Sequence, residues 1–313
     1  MDLTIKPLPE RDLDAAERIF RLAFGTFVGL PDPLTFSGDC AYIRTRWLMD
    51  PSATFAAYEG DGLLGSNFAS RWGSFGFFGP LSVQPALWDK GIAKRLLAAT
   101  MERFDAWRLN HAGLFTFAQS AKHIGLYHHF GFYPRFLTAI MAKPVSATAV
   151  SRPAERFSDL NADARTACIS AARALTASIH DGLDLELEIR AVQAHGFGDT
   201  VLLVHEGVLH GFAVCHVGAG TEAGGGVCYV KFAAARPGAK AAADFEGLLD
   251  ACERFAAGRG ATELVAGMNT AREPAYRLLL ARGFRTFIQG VAMQRPNEAG
   301  FNRPDVFVID DWR

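Results

Sequence analysis

Leu81-Ser82-Val83-Gln84-Pro85-Ala86-Leu87-Trp88-Asp89-Lys90-Gly91-Ile92-Ala93-Lys94-Arg95-Leu96-Leu97 is the stretch from which the rest of the chain can be read. An apolar run ends at Pro85, a short polar turn contains Gly91, and an amphipathic helix follows at once. The first backbone N–H groups of such a helix have no intrahelical partner and lie at the positive end of its dipole. That junction is a socket for a phosphate or diphosphate. Gly91 has no Cβ and Ala93 is nearly as small, so a bulky anion can approach the backbone closely. Lys90, Lys94 and Arg95 add mobile positive charge. One glycine and one small residue, taken alone, also describe an ordinary strand-to-helix turn.

A second segment decides between these readings. Residues 126–134, Leu-Tyr-His-His-Phe-Gly-Phe-Tyr-Pro, read as the end of a short helix, a glycine cap at Gly131 and the start of an aromatic strand. The two segments, in this order and separation, resemble the GNAT acetyltransferase superfamily. Val83 and Pro85 stand where the family has Val-x-Pro, and Gly91 and Ala93 where it has Gly-x-Ala. Trp88 departs from the pattern, which has Arg or Gln three residues before the glycine.

The resemblance implies acetyl-CoA as co-substrate, with no metal. It implies that Leu81, Ser82, Val83, Trp88, Asp89, Lys90, Gly91, Ile92, Ala93 and Lys94 form the strand, turn and helix start that hold the diphosphate and pantetheine. It places Tyr127 beside the thioester sulfur as the catalytic proton donor, and a backbone N–H near Leu81–Val83 on the thioester carbonyl. A phenol of pKa about 10 can donate to a thiolate as it forms. Ser120, seven residues earlier, either touches the pantetheine arm or caps the helix that carries Tyr127.

Composition bounds the remaining possibilities. At 313 residues, half of them hydrophobic, the chain has room for two domains with well-buried cores. A net charge of −1, with basic residues scattered, leaves no electrostatic footprint for nucleic acid or an anionic membrane. The five cysteines form no CxxC pair and no zinc-like cluster with histidine, so they read as small buried hydrophobes. His123, His128 and His129 share no helical face that would suit a metal. The Met-Asp-Leu-Thr-Ile-Lys-Pro start has no signal-like apolar region, and no run approaches membrane-spanning length. A cytoplasmic protein is expected, monomeric or homodimeric.

The first half alternates strand and helix patterns. Strands are predicted at 3–7, 54–58, 63–71, 75–83, 114–118 and 132–142; helices at 9–24, 40–49, 89–108 and 122–130. Pro80 falls inside the 75–83 strand and should break its ladder, either as a plain edge bulge or, as the resemblance implies, as the splay through which the pantetheine enters the sheet. Residues 25–38 read as a loop bearing Phe27, Val28, Leu30 and Phe36; with Phe24 these should cover the acceptor pocket or pack on the second half.

The second half repeats the plan. Moving 152 residues along takes Pro85 to Pro237, Leu96-Leu97 to Leu248-Leu249, Leu126 to Leu278 and Gly131-Phe132 to Gly283-Phe284. The expected architecture is therefore α+β or α/β: two tandem GNAT-like domains, each a twisted, mixed, mainly antiparallel sheet flanked by helices. The boundaries are 1–145 for the acetyl-CoA-binding domain, 146–153 for a linker rich in Ser, Ala, Thr and Pro, and 154–313 for a degenerate copy. The layout is also similar to that of mycothiol synthase. The copy has Ala243 for Gly91, Phe245 for Ala93 and Leu279 for Tyr127, so the cofactor should bind the first half alone.

The expected reaction is acetyl transfer to the amine of a small molecule or peptide. The alternative is a non-catalytic acyl-CoA-binding or protein-interaction module. No acid lies in Ser74–Val83 to serve as general base; a base acting through water could come from Glu59, Asp39, His111, His123 or the second domain, although each of these reads first as a solvated surface residue. The Gly218–Gly226 run reads as a flexible hairpin loop, Asp181–Glu188 as a solvated helix face, and Asp310–Arg313 as a tie for a terminal strand.

Overall fold

A computed structural model describes residues 2–146 and 154–313. The expected linker falls almost wholly outside the described residues. The first half contains β1 (Thr4–Pro7), α1 (Leu13–Val28), α2 (Tyr42–Met49), β2 (Thr54–Glu59), β3 (Gly62–Trp72), β4 (Phe75–Phe78), β5 (Ser82–Val83), α3 (Ile92–Ala106), β6 (His111–Thr116), α4 (Ala121–His128) and β7 (Tyr133–Pro144). The second contains β8 (Glu155–Arg156), α5 (Ala162–Ala177), α6 (Glu186–Ala194), β9 (Gly198–His205), β10 (Val208–Gly218), β11 (Gly224–Ala235), α7 (Ala241–Gly258), β12 (Glu263–Asn269), α8 (Glu273–Ala281), β13 (Arg285–Arg295) and β14 (Val308–Ile309).

The element types follow the periodicities. In α1, Leu13, Ala16, Ile19, Phe20 and Ala23 form the buried stripe, and the helix runs four residues past its expected end to a left-handed Gly29. In α3 the buried stripe is Ile92, Leu96, Leu97, Thr100 and Phe104. Expected strand 75–83 is cut in two. β4 pairs with β3 and β6, the chain breaks at Gly79-Pro80, and β5 pairs with β3 alone. Proline has no N–H to give the ladder.

The halves do not close as two separate sheets. The strand order is β1-β2-β3-β4-β6-β13-β7-β12-β11-β10-β9-β8, with β5 on β3 and β14 on β11. The sheet is mixed and mainly antiparallel; β4–β6 and β11–β12 are its parallel pairs. The corresponding strands β7 and β13 each lie inside the other half's territory. β13 sits between β6 and β7, and β7 sits between β13 and β12. The ladder repeats along the chain. The pair Phe75↔His111 recurs as Val227↔Glu263, both 152 residues on. The pair Leu114↔Met293 recurs as Ala266↔Met141 when the halves are interchanged. Thr138 pairs with Gly290, its own counterpart 152 residues later, so a pseudo-two-fold axis passes between β7 and β13 there. Upstream the offset is shorter: Glu59↔Gly62 corresponds to His205↔Val208, 146 residues on. Six residues are thus inserted between β10 and β11, in the glycine-rich run.

That run is the expected hairpin connection, closed by Gly218↔Gly224 between β10 and β11, but its middle is buried. Thr221, Glu222 and Ala223 are buried at the junction of the halves. Ala41 N–H donates to the Thr221 carbonyl and Gly220 N–H to the Asp39 carbonyl. Glu222 takes Arg46 Nε at 2.7 Å and Lys231 Nζ at 2.9 Å. Glu188, read in sequence as part of a solvated face, is also buried; it accepts from Trp72 Nε1 at 3.0 Å and faces Lys231 at 3.3 Å. Leu183 and Leu185 are buried beside it. Charge alternation alone misjudged that segment, because each buried acid has a buried cation from a distant strand or helix.

His216 lies beneath this cluster, buried, with neither ring nitrogen hydrogen-bonded. Burial, with Lys231 second, lowers its pKa from 6.5 to about 3. The unfolded chain protonates this imidazole first, so the stability it contributes is present above about pH 6.5 and drains away as pH falls toward 3. The unfolding midpoint should drop steeply over that window in a pH series, and less steeply in His216→Leu.

Candidate active site

β4 and β6 are paired only over Phe75–Phe77 and His111–Gly113. Beyond that row β4 ends, β5 turns onto β3, and the edge of β6 from Leu114 to Thr116 is left open toward the gap. A cavity of about 1360 Å³ occupies this gap and extends across to the second half. Gly79, Pro80, Leu81 and Val83 line one side of it, and the start of α3 lines its outer end.

Gly91 is the N-cap of α3, with φ +80°, and no side chain caps the helix. A Cβ added there would meet nothing within 4 Å. The glycine is therefore required by its left-handed backbone, and the space above the first free N–H groups is open. Asp89, Ile92, Ala93 and Lys94 also line this end. The residues fit a diphosphate: free helix N–H groups, an open approach and one lysine. Gly91→Ala is expected to cost about 1–2 kcal/mol through the left-handed backbone, and to weaken anion binding in a titration with coenzyme A.

Trp88 lines the cavity beside these residues and also braces the turn. Its indole N–H donates to the Val83 carbonyl at 2.9 Å, tying the turn to β5. Its ring packs with the core of the first half, and Lys122 Nζ lies 5.7 Å from its centre. Lys122 is paired with Asp89 at 2.6 Å, so the turn is also latched to α4. Ser82 and Lys90 do not line the cavity. Ser82 faces the core, its hydroxyl 3.5 Å from that of Ser66, as strand alternation requires. Arg95 is turned away and donates to the Leu3 carbonyl.

Tyr127 lies in the last turn of α4, buried, and lines the cavity. Left-handed Gly131 lets Phe132 N–H return to the Tyr127 carbonyl at 3.2 Å, while Phe132 sinks into the core. The Tyr127 ring stands 5.7 Å from Phe78 on β4 and 6.4 Å from His123. Burial pushes its pKa well above the ordinary phenol range, with a hydrogen bond from Thr116 pulling the other way. The hydroxyl is thus protonated at any working pH and acts as a donor. Ser120 lines the cavity too, but its hydroxyl accepts from His123 N–H at 3.3 Å as the N-cap of α4.

The four base candidates separate cleanly. Glu59 is exposed at the end of β2, and Asp39 accepts from Gly225 N–H. His111 is buried against Phe75 and bonded to Gln294 at 2.8 Å, away from the cavity. His123 does line the cavity, and burial followed by Lys122 lowers its pKa. The strap from 24 to 40 packs mainly on its own half: Phe27 lies 5.0 Å from Phe117 and 4.8 Å from His123. Arg21 fastens it from α1, donating to the carbonyls of Phe36, Gly38 and Cys40. Arg46, which Glu222 holds, donates to the Gly79 carbonyl at 3.0 Å, at the point where the strand breaks.

Residues 17–132 match the model of the acetyltransferase (GNAT) family. This region is a GNAT acetyltransferase domain. The GNAT fold extends over the whole chain. A putative acetyltransferase from Pyrococcus horikoshii shares it over 99% of this chain and 95% of its own, with a TM-score of 0.68 at 14% identity. GCN5-related N-acetyltransferases from Sphaerobacter thermophilus and Anabaena variabilis share it over 94% and 95% of this chain. They are covered over 95% and 73% of their own lengths, with TM-scores of 0.61 and 0.55 at 14% and 12% identity. At such identities the likeness concerns the fold. No curated protein matches the chain significantly.

The second GNAT-like half repeats the strand order without the open gap. At the Gly91 position Ala243 lies inside α7, which starts at Ala241 and so covers the socket with helix. Phe245 is buried in the core, as is Leu279 in the place of Tyr127. The gap beyond the β11–β12 pairing is filled by β14, with Val308 and Ile309 paired to Ala234 and Ala233. Arg272 clamps this plug through the Val308 carbonyl at 2.8 Å and Asp310 at 2.7 Å. The expected tie at 310–313 is therefore present. Its last residue goes further: Arg313 lines the cavity, its guanidinium 4.4 Å from the Tyr229 ring. Sequence alone gave no signal for that, nor for Glu222, Glu263 and Val265, which line the far wall. Among the described residues no cluster of three His, Cys, Asp or Glu is placed to hold a metal, and no helix is long and apolar enough to cross a membrane.

Proposed function

We propose that the chain is an acetyl-CoA-dependent N-acetyltransferase whose single active site lies in the first of two GNAT-like units, residues 1–145 and 154–313. The observation that carries this reading is the contrast between the two gaps. In the first half the gap is open, flanked by an uncapped helix N-terminus, and holds Tyr127; in the second it is filled by β14.

Acetyl-CoA would supply an activated acetyl thioester. The free N–H groups at the start of α3, with Lys94, hold the diphosphate. Backbone near Leu81–Val83, where β4 and β5 part, polarises the carbonyl oxygen. As the amine nitrogen bonds to the acetyl carbon, the carbon–sulfur bond breaks and the amine gives up a proton. Tyr127 donates a hydrogen bond to the sulfur. His123 faces the same cavity as a neutral imidazole near pH 7, so it can accept the amine proton through water.

The test is thiol release from acetyl-CoA across a panel of amines, run beside a calorimetric titration with acetyl-CoA. Binding together with amine-dependent thiol release supports the transferase. Binding with no thiol release for any amine would leave the non-catalytic binding module in its place.

A further inference from the structure

The cofactor gap accounts for only part of the cavity. Pockets that enclose one drug-sized ligand run to about 1,000 Å³, and this one is about 1360 Å³. Its far part is an apolar chamber. Phe24 and Phe27 of the strap and Phe117 after β6 form one wall. The opposite wall is the sheet of the second half. Ile140 on β7, Tyr229 on β11 and Val265 on β12 share one face, with Tyr229 and Val265 in ladder register.

Two features restrict what can enter. The strap is tied to the second half by the inserted loop, through Ala41–Thr221, Gly220–Asp39 and Gly225–Asp39. The strap is thus pinned across one side of the chamber, and a folded protein surface would have to displace it to reach the far wall. Its charges are also spoken for. Arg46 and Lys231 are neutralised by Glu222 and Glu188, Arg313 by Asp311, and Lys122 by Asp89. Of the lysines and arginines among the described residues that line the cavity, Lys122 and Arg313 are paired and Lys94 lies at the start of α3, so a carboxylate on a ligand would find no free lysine or arginine in the chamber. Glu263 at its rim has no ion-pair partner among the described residues. It lies six residues along β12 from Asn269, on the ladder row of Thr138, so about 20 Å of strand separates the rim from that row.

We propose that the acceptor is a small primary amine with an uncharged aromatic or branched apolar body, selected by the sheet face of the second half and drawn in past Glu263. This rests on the transfer reading for the fate of the amine, while the chamber's preference can be measured without turnover. The duplicated half would thus have kept a working surface after losing its own site.

The test is calorimetric binding to the full chain of four probes: phenethylamine, 3-phenylpropionate, phenylalanine and an acetylated lysine-containing pentapeptide with its ε-amine free. Phenethylamine is expected to bind at least tenfold tighter than the other three. Val265→Lys should weaken it at least tenfold while acetyl-CoA affinity stays unchanged, and the milder Val265→Thr should weaken it severalfold. Glu263→Gln should weaken it and flatten its salt dependence. Equal or tighter binding of 3-phenylpropionate, phenylalanine or the peptide overturns the proposal. So does failure of phenethylamine to bind, or indifference of its binding to both Val265 variants. Phenethylamine binding without thiol release would instead remove the transfer reading and leave the chamber's preference standing.

Discussion

Tyr127→Phe is expected to lower kcat by about a hundredfold or more, within the range that a positioned proton donor contributes. The loss should fall on turnover. The phenyl ring keeps the contacts with Phe78 and Phe132 that hold α4 in place, and the start of α3 is untouched. Acetyl-CoA affinity should therefore change by less than about twofold, which marks an interaction made in the transition state. Stability should fall by about 1 kcal/mol, the ordinary worth of the hydrogen bond with Thr116. Steady-state kinetics with direct titration of acetyl-CoA separates these quantities. A variant with unchanged kcat would remove Tyr127 from the chemistry.

The second large effect is structural. Glu222→Gln deletes the negative charge between Arg46 and Lys231, all three side chains being buried. Burial raises the Glu222 pKa but Arg46 and Lys231 outweigh it, so the carboxyl is held well below the usual carboxylate range and is charged at neutral pH. Breaking a buried pair from one side costs about 3–5 kcal/mol, because the remaining charge stays desolvated. That is a large share of a typical folding stability of about 5–15 kcal/mol. Urea unfolding should show the loss. Adding Lys231→Met should recover part of it, with a coupling above about 1 kcal/mol in the double-mutant cycle. Acetyl-CoA binding should weaken as well, because Arg46 also holds the Gly79 carbonyl at the strand break. A stability loss under about 1 kcal/mol would mean that water or backbone takes over the role of Glu222.

Local signals were legible where chemistry is local. Helix stripes, the break at Pro80 and left-handed Gly91 and Gly131 are written in neighbouring residues, and each lies where the sequence puts it. Trp88 was opaque, because its hydrogen-bond partner is a backbone carbonyl, which leaves no mark in composition. Glu188 and Glu222 were misread for a related reason. Whether an acid is solvated or buried depends on a cation far away in sequence, and Arg46 lies 176 residues from Glu222. The far wall of the cavity was invisible because it belongs to strands of the other half. The 152-residue repeat was readable from landmarks such as Gly131-Phe132 and Gly283-Phe284, but not the interchange of β7 and β13. A repeat specifies which strands resemble one another; it does not specify which copy each will pair with.

That interchange has a consequence for how the protein comes into being. On the ribosome, β6 and β7 emerge long before β13, the strand that must separate them. Until residue 295 has been made, the first half has a seam with no partner across it, although all its own motifs are present. Neither 1–145 nor 154–313 should fold alone, whereas the two fragments expressed together should find each other. An ancestral single copy would have needed a second molecule of itself to fill that seam. Joining two copies would turn a meeting of two chains into an internal event, and would leave one partner free to give up catalysis.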